Sequence, residues 1–222
     1  MTRKHTFIYR NGLTLALVGL FLFSITGQIV AGWKEYNHER EEFHRGPVTL
    51  NAYFNTGHFY QTTFENWESE FLQMGTYVLL TIWLRQQGSS ESKHLDKKEE
   101  VDRDPDPSKK DAPLPVKKGG ILLAIYKNSL SGAFIALFLI SFVLHACGSF
   151  KNYNEEQVFQ GKQTIPFEVF IKESRFWFES FQNWQSEFVA VISIVVLSIF
   201  LRQHGSPESK PVDASHKETG SA

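Results

Sequence analysis

Apolar residues along this chain fall into four blocks, separated by segments crowded with charge. The first block, residues 12–33, holds no charged side chain. As a helix rising 1.5 Å per residue it reaches roughly 33 Å, enough to cross a hydrocarbon core of about 30 Å. A second long block covers 121–149. The remaining two, 71–84 and 188–201, offer only about 14 positions each, a length more usual for buried or interfacial segments. Their upstream residues extend one helical face, however. Tyr60, Phe64, Trp67, Phe71, Met74 and Val78 follow steps of 4, 3, 4, 3 and 4, and Trp177, Phe181, Trp184, Phe188, Val191 and Val195 do the same. A helix that lies along the interface and then descends accounts for both. The pattern predicts an all-α membrane protein with four transmembrane helices and amphipathic interfacial helices in its external loops.

The blocks are related by an internal repeat at an offset of 117 residues. Tyr9, Asn11, Leu13 and Leu20 return as Tyr126, Asn128, Leu130 and Leu137, and Asn66, Trp67, Ser69 and Glu70 as Asn183, Trp184, Ser186 and Glu187. Each copy is about 85 residues, too long for a solenoid unit. Arg3, Lys4 and Arg10 before the first block suit a signal peptide. Its counterpart is internal, which favours a retained helix. Two helices per copy give two tandem repeats in parallel orientation, related by a pseudo-twofold axis along the membrane normal. The expected organisation is a first repeat over 1–88, a disordered charged linker over 89–118, a second repeat over 119–205 and a disordered tail over 206–222.

Charge supplies the orientation. Arg3, Lys4, Arg10, Arg85, Lys117, Lys118, Lys127 and Arg202 all flank block ends on one side, which should therefore be cytoplasmic, with both termini. The linker mixes both signs with four prolines and cannot build a core. Gly88 and Gly205 fall just past the expected helix ends, where a left-handed residue is wanted. The net charge of −1 gives no reason to expect nucleic-acid binding. Twenty Phe and five Trp suit membrane interfaces, with Trp33, Trp67 and Trp184 as anchors. Cys147 is the only cysteine, which excludes an intramolecular disulfide and thiol-relay chemistry.

Candidate chemistry is confined to a few polar residues. Glu70 and Glu187 each sit one turn beyond an interfacial Trp, about 4–5 Å toward the bilayer interior. An ionisable group at that depth is a functional candidate. Asn66 and Asn183 lie one turn away on the same face. Gln28 and His145 share one repeat position at a comparable depth, roughly 7 Å below the external surface. Each half thus places Asn, Glu and either Gln or His in one polar layer. In the second half a Glu187–His145 pair could exchange a proton near neutral pH. The competing role for the layer is hydrogen bonding that fixes helix packing in lipid. Asn11 and Asn128 are expected as N-caps. His38, His44 and His58 fit no standard metal spacing, so no metal and no cofactor are expected. GxSxG, HExxH and phosphate-binding glycine loops are absent, which argues against an enzyme dependent on them.

The paired signature N-W-[EQ]-S-E-F followed by L-R-Q-x-G-S-x-E-S-K resembles that of a family of small bacterial membrane proteins described as a domain of unknown function. The resemblance covers both repeats and implies a multi-pass protein of the bacterial inner membrane. It supplies no activity. Two functions lead, ahead of a membrane enzyme that would use Glu, His and Asn for acid–base chemistry. One is a non-enzymatic structural or accessory protein, including an envelope-stress component. The other is a small ion or proton-coupled channel or carrier that uses the Glu/His/Asn layer at the repeat interface. The expected partners are the lipid bilayer and either a second copy or another membrane protein.

Overall fold

A computed structural model of the chain describes residues 6–220, and among these every regular element is helical. Helix α1 spans Phe7–Glu42, 36 residues, and opens on Thr6, whose hydroxyl accepts the Tyr9 amide at 3.3 Å. The expected cap Asn11 therefore lies inside the helix, its amide donating back to the Phe7 carbonyl. A short α2 (Leu50–Tyr53) leads into α3 (Gly57–Trp83). After turns and one 3-10 segment, α4 (Leu114–Lys118) and α5 (Gly120–Lys127) precede α6 (Ser129–Phe159). Asn128 closes α5 rather than capping α6 by its side chain, which donates to the Ala124 carbonyl. A short α7 (Phe167–Phe170) leads into α8 (Ser174–Phe200).

The element bounds carry the sequence offset. Both ends of α3 and α8, both ends of α2 and α7, and the final residues of α1 and α6 differ by 117. Local hydrogen bonds carry it too. Asn37 bonds the Val48 amide and carbonyl at 2.7 and 3.1 Å, and Asn154 bonds those of Ile165 at 2.9 and 3.1 Å. Arg85 and Arg202 each turn a guanidinium back onto three carbonyls at the end of their helix, where the helix dipole favours a cation. Gly88 and Gly205 have φ of 86° and 81°, although they sit in the turns after α3 and α8 rather than at the helix caps.

Among the described residues three helices are long and apolar enough to cross a membrane: α1, α6 and α8. The expectation of four is corrected to three by this measure. Helix α3 has the length of α8, but Glu65, Glu68, Glu70 and Gln73 dilute its apolar run. The amphipathic lead-ins also differ from separate interfacial helices, because each continues without a break into its apolar half. The apolar side chains of α1 point outward: Leu13, Leu20 and Phe23 are 77%, 64% and 80% exposed. In water such a surface would be untenable, whereas lipid is its natural solvent.

The chain packs as two units, whose boundaries fall inside α3 after Thr63 and inside α6 after His145. One unit joins the described residues up to Thr63 with Ala146–Ile171. Its core is aromatic, with Tyr36, Tyr53 and Phe170 buried, and Tyr36 donates its hydroxyl to Glu155 at 3.1 Å. Here α3 and α6 approach closely. A Cβ added at Gly148 would fall 2.6 Å from the Gln61 backbone nitrogen, so only glycine fits. The other unit holds Phe64–His145 and the residues from Lys172 onward. In it Ser89 and Ser198 share a buried hydrogen bond of 3.0 Å, and the Lys210 ammonium donates to the carbonyls of Ser215, His216 and Glu218. The segments that composition assigns to linker and tail thus hold specific bonds.

Candidate functional site

Within the second unit, α3 turns its polar stripe inward. Glu65 and Glu68, one turn apart, share a face with the buried Ser69 and Gln73. This inverts the pattern of a soluble helix and suits a bundle surrounded by lipid, where polar groups seek each other. Helix α6 contributes His145, and α8 contributes Phe176, Glu179 and Trp184.

His145 and Glu68 are both fully buried, with the imidazole Nδ1 2.9 Å from Glu68 Oε2. Trp184 donates its indole Nε1–H to the other carboxylate oxygen at 3.0 Å. With Glu68 as a carboxylate accepting on both oxygens, the shared proton is carried on Nδ1 and the ring donates from that side. Phe176, also fully buried, lies against the ring with centroids 5.1 Å apart. Nε2 is buried and has no hydrogen-bond partner. It faces Glu65 Oε2 at 3.8 Å and Glu179 Oε2 at 3.9 Å, both side chains being partly exposed. Glu179 also accepts from Arg175 Nε at 2.9 Å. One ligand atom each from Glu65, His145 and Glu179 lie within 4.8 Å of one another.

Of the residues singled out from the sequence, His145 stands at this centre, but its carboxylate partner is Glu68 and not Glu187. Asn183 lies beside Glu65 and donates to the Glu179 carbonyl. Glu187 is half-buried, and Glu70, exposed, is the charge that acts on it. Asn66 is exposed. Gln28 belongs to the first unit, where its amide donates to the Thr62 carbonyl and Thr63 hydroxyl at 3.3 Å. Trp33 donates to the Val48 carbonyl, Trp67 meets Phe64 edge to face, and Trp184, expected as an interface anchor, serves Glu68 instead. In the first unit His38, on α1, faces Glu42, and His58, on α3, shares a hydrogen bond with the Tyr53 hydroxyl.

Sequence reasoning missed Glu65, Glu68 and Glu179. A depth argument from Trp67 selects Glu70, while Glu68 lies on the inward face. The signal was present in the repeat. At the offset of 117, Glu65, Glu68, His145 and Glu179 stand against Gln182, Gln185, Gln28 and Thr62. Each of these four ionisable residues is matched by a neutral, hydrogen-bonding residue in the other copy, while Arg175 is matched by His58.

The model of one family, a domain of unknown function (DUF6766), matches residues 4–221, nearly the whole chain. The chain belongs to that family. No curated protein and no solved structure matches it.

Proposed function

We propose that this is a non-enzymatic, multi-pass protein of the bacterial inner membrane that binds and passes a cation, a proton in the simplest case, at the His145 centre. One observation carries the reading. A tie between helices needs only Glu68, His145 and Trp184, yet two further carboxylates face the unpartnered Nε2 of the same imidazole. Such an excess of partly buried negative charge works against stability unless a cation relieves it. In this reading α3 completes a fourth crossing, its carboxylates turned toward His145 and its apolar half, 71–84, toward lipid. The two copies share one orientation, with the termini and the linker cytoplasmic, as the basic residues at the block ends favour. The recurrence of element bounds at 117 residues supports that arrangement.

A structural or accessory role is the second reading. It is favoured by the Glu68 tie itself, which joins α3, α6 and α8. Proteoliposomes containing a pH-sensitive dye separate the two. The first reading expects proton flux in the parent protein, lost in Glu179→Gln without a fall in the melting temperature. Absence of flux in the parent, together with a lowered melting temperature in Glu68→Gln, would leave only the accessory role.

A further inference from the structure

We propose that Glu65, His145 and Glu179 form a site for a first-row divalent transition metal, with Zn²⁺ the best match, and that Glu68 and Trp184 are its outer partners. The proposal rests on the reading of the centre as a cation site and names the cation.

The imidazole is prepared as a ligand. In the neutral ring with Nδ1–H given to the buried carboxylate, the Nε2 lone pair is directed at Glu65 and Glu179. A ligating histidine almost always donates its other ring N–H to a carboxylate or carbonyl in this way, which fixes the tautomer and raises ligand basicity. Trp184 in turn holds the outer carboxylate. The chain thus supplies both the ligand and its support, and the metal-facing nitrogen is the one buried without a partner.

Distances agree. Metal bonds of about 2.0–2.2 Å to nitrogen and oxygen put tetrahedral ligand atoms roughly 3.3–3.6 Å apart. Nε2 stands 3.8 and 3.9 Å from the two carboxylate oxygens, too far for a hydrogen bond and slightly wider than a loaded site. Small side-chain rotations close that gap.

Charge agrees as well. Glu65, Glu68 and Glu179 carry three negative charges, and Arg175, bonded to Glu179, returns one positive. Protonating His145 leaves this group with one net negative charge, whereas a divalent ion on the neutral ring brings it to zero. The corresponding positions Gln182, Gln185, Gln28 and Thr62 need no counter-ion, so one site per chain is expected.

The donor set selects the ion. An imidazole among carboxylates suits Zn²⁺, Mn²⁺ or Fe²⁺ better than Ca²⁺ or Mg²⁺, which prefer oxygen alone. Three protein ligands leave a fourth position open, the pattern of an exchangeable site rather than a closed structural one.

The test is titration of the chelator-treated full-length protein in micelles with Zn²⁺ and Co²⁺. Binding is read by calorimetry, Co²⁺ visible absorption and X-ray absorption at the zinc edge. The expected result is one ion per chain with a single imidazole and otherwise oxygen ligands. Glu65→Gln and Glu179→Gln should each weaken binding at least tenfold while the helical circular dichroism stays unchanged, because the Glu68–His145 bond survives. Glu68→Gln should cost about 10–100-fold, and His145→Gln should abolish the site. Parent binding no tighter than that of the Glu65→Gln/Glu179→Gln double variant, or a zinc spectrum lacking imidazole, overturns the proposal. The flux assay separates the two levels. Glu179-dependent proton flux without metal binding overturns the metal site and keeps the cation reading. Metal binding without any flux keeps the site and ends the transport reading.

Discussion

Glu68 is an acidic side chain held wholly away from solvent in the second unit. Fully buried, it is kept by two directed donors, His145 Nδ1–H and Trp184 Nε1–H. Removing one donor leaves the charge with a single partner. Trp184→Phe should therefore lower stability by about 1.5–3 kcal/mol, read as a fall in the thermal midpoint in detergent. Glu68→Ala should cost more, about 3–5 kcal/mol, because the imidazole also loses its acceptor. The repeat suggests a compensating pair. His145→Gln with Glu68→Gln installs the residues found at the matching positions of the other half, Gln28 and Gln185. That double variant should be more stable than the two single changes predict by addition, since neither buried charge is then left alone. Additive midpoints would refute this coupling. His145 was recognisable from the sequence as the one ionisable difference in its layer. Its true partner was not, because the chemical choice between Glu68 and Glu70 turns on about 100° of helix rotation per residue.

At the scale of elements, the packing of α3 on α6 in the first unit turns on Gly148. A methyl group there would meet Gln61 nitrogen at 2.6 Å and Tyr60 Cβ at the same distance, so Gly148→Ala should destabilise by about 1–3 kcal/mol, measured by chemical denaturation in mixed micelles. The turn after α1 behaves oppositely. His44 adopts φ of 56°, and the equivalent position in the second copy is Gly161 at 71°. His44→Gly should be neutral or stabilising by up to about 1 kcal/mol, with no change in helix content. In the segment between α3 and α4, backbone and side-chain hydrogen bonds from His94 hold the Glu99 carboxyl below its usual value of 4.5. A depressed carboxylate contributes order above the unfolded value and loses it as pH falls through the folded one. The protection factor of the His94 amide, taken against its intrinsic exchange rate, should fall only as the pH drops below about 4.5, and constant protection down to lower pH would contradict the bond. Helices α3 and α8 were legible in the sequence from their 3.6-residue periodicity, and α1 and α6 from the length of their apolar runs. The start of α1 was not, because Thr6 is the better cap and residues 7–11 extend the helix upstream of the apolar block.

For the whole molecule the prediction concerns the number of crossings. If α3 crosses with α1, α6 and α8, a fluorescent reporter fused at Asp104 and one fused at Ala222 should both light up in the cytoplasm. Cysteines placed at Arg45 and Lys162 should both react with an impermeant thiol reagent added outside. Both reporters dark, with the cysteine at Arg45 reactive and the one at Lys162 protected, would mean that α3 does not cross. Membrane character and helical class were already determined by the sequence, because apolar length and period are local properties that solvent enforces on any arrangement of the segments. So was the internal repeat, since it is a property of residue order alone. Which carboxylates gather on His145 was decided only by the tertiary structure. Glu65 and Glu68 stand roughly 80 residues from it, and Glu179 more than 30. Nothing in local pattern ranks those acids above Glu70 or Glu187. The choice is made by which helix faces can pack around one imidazole away from lipid.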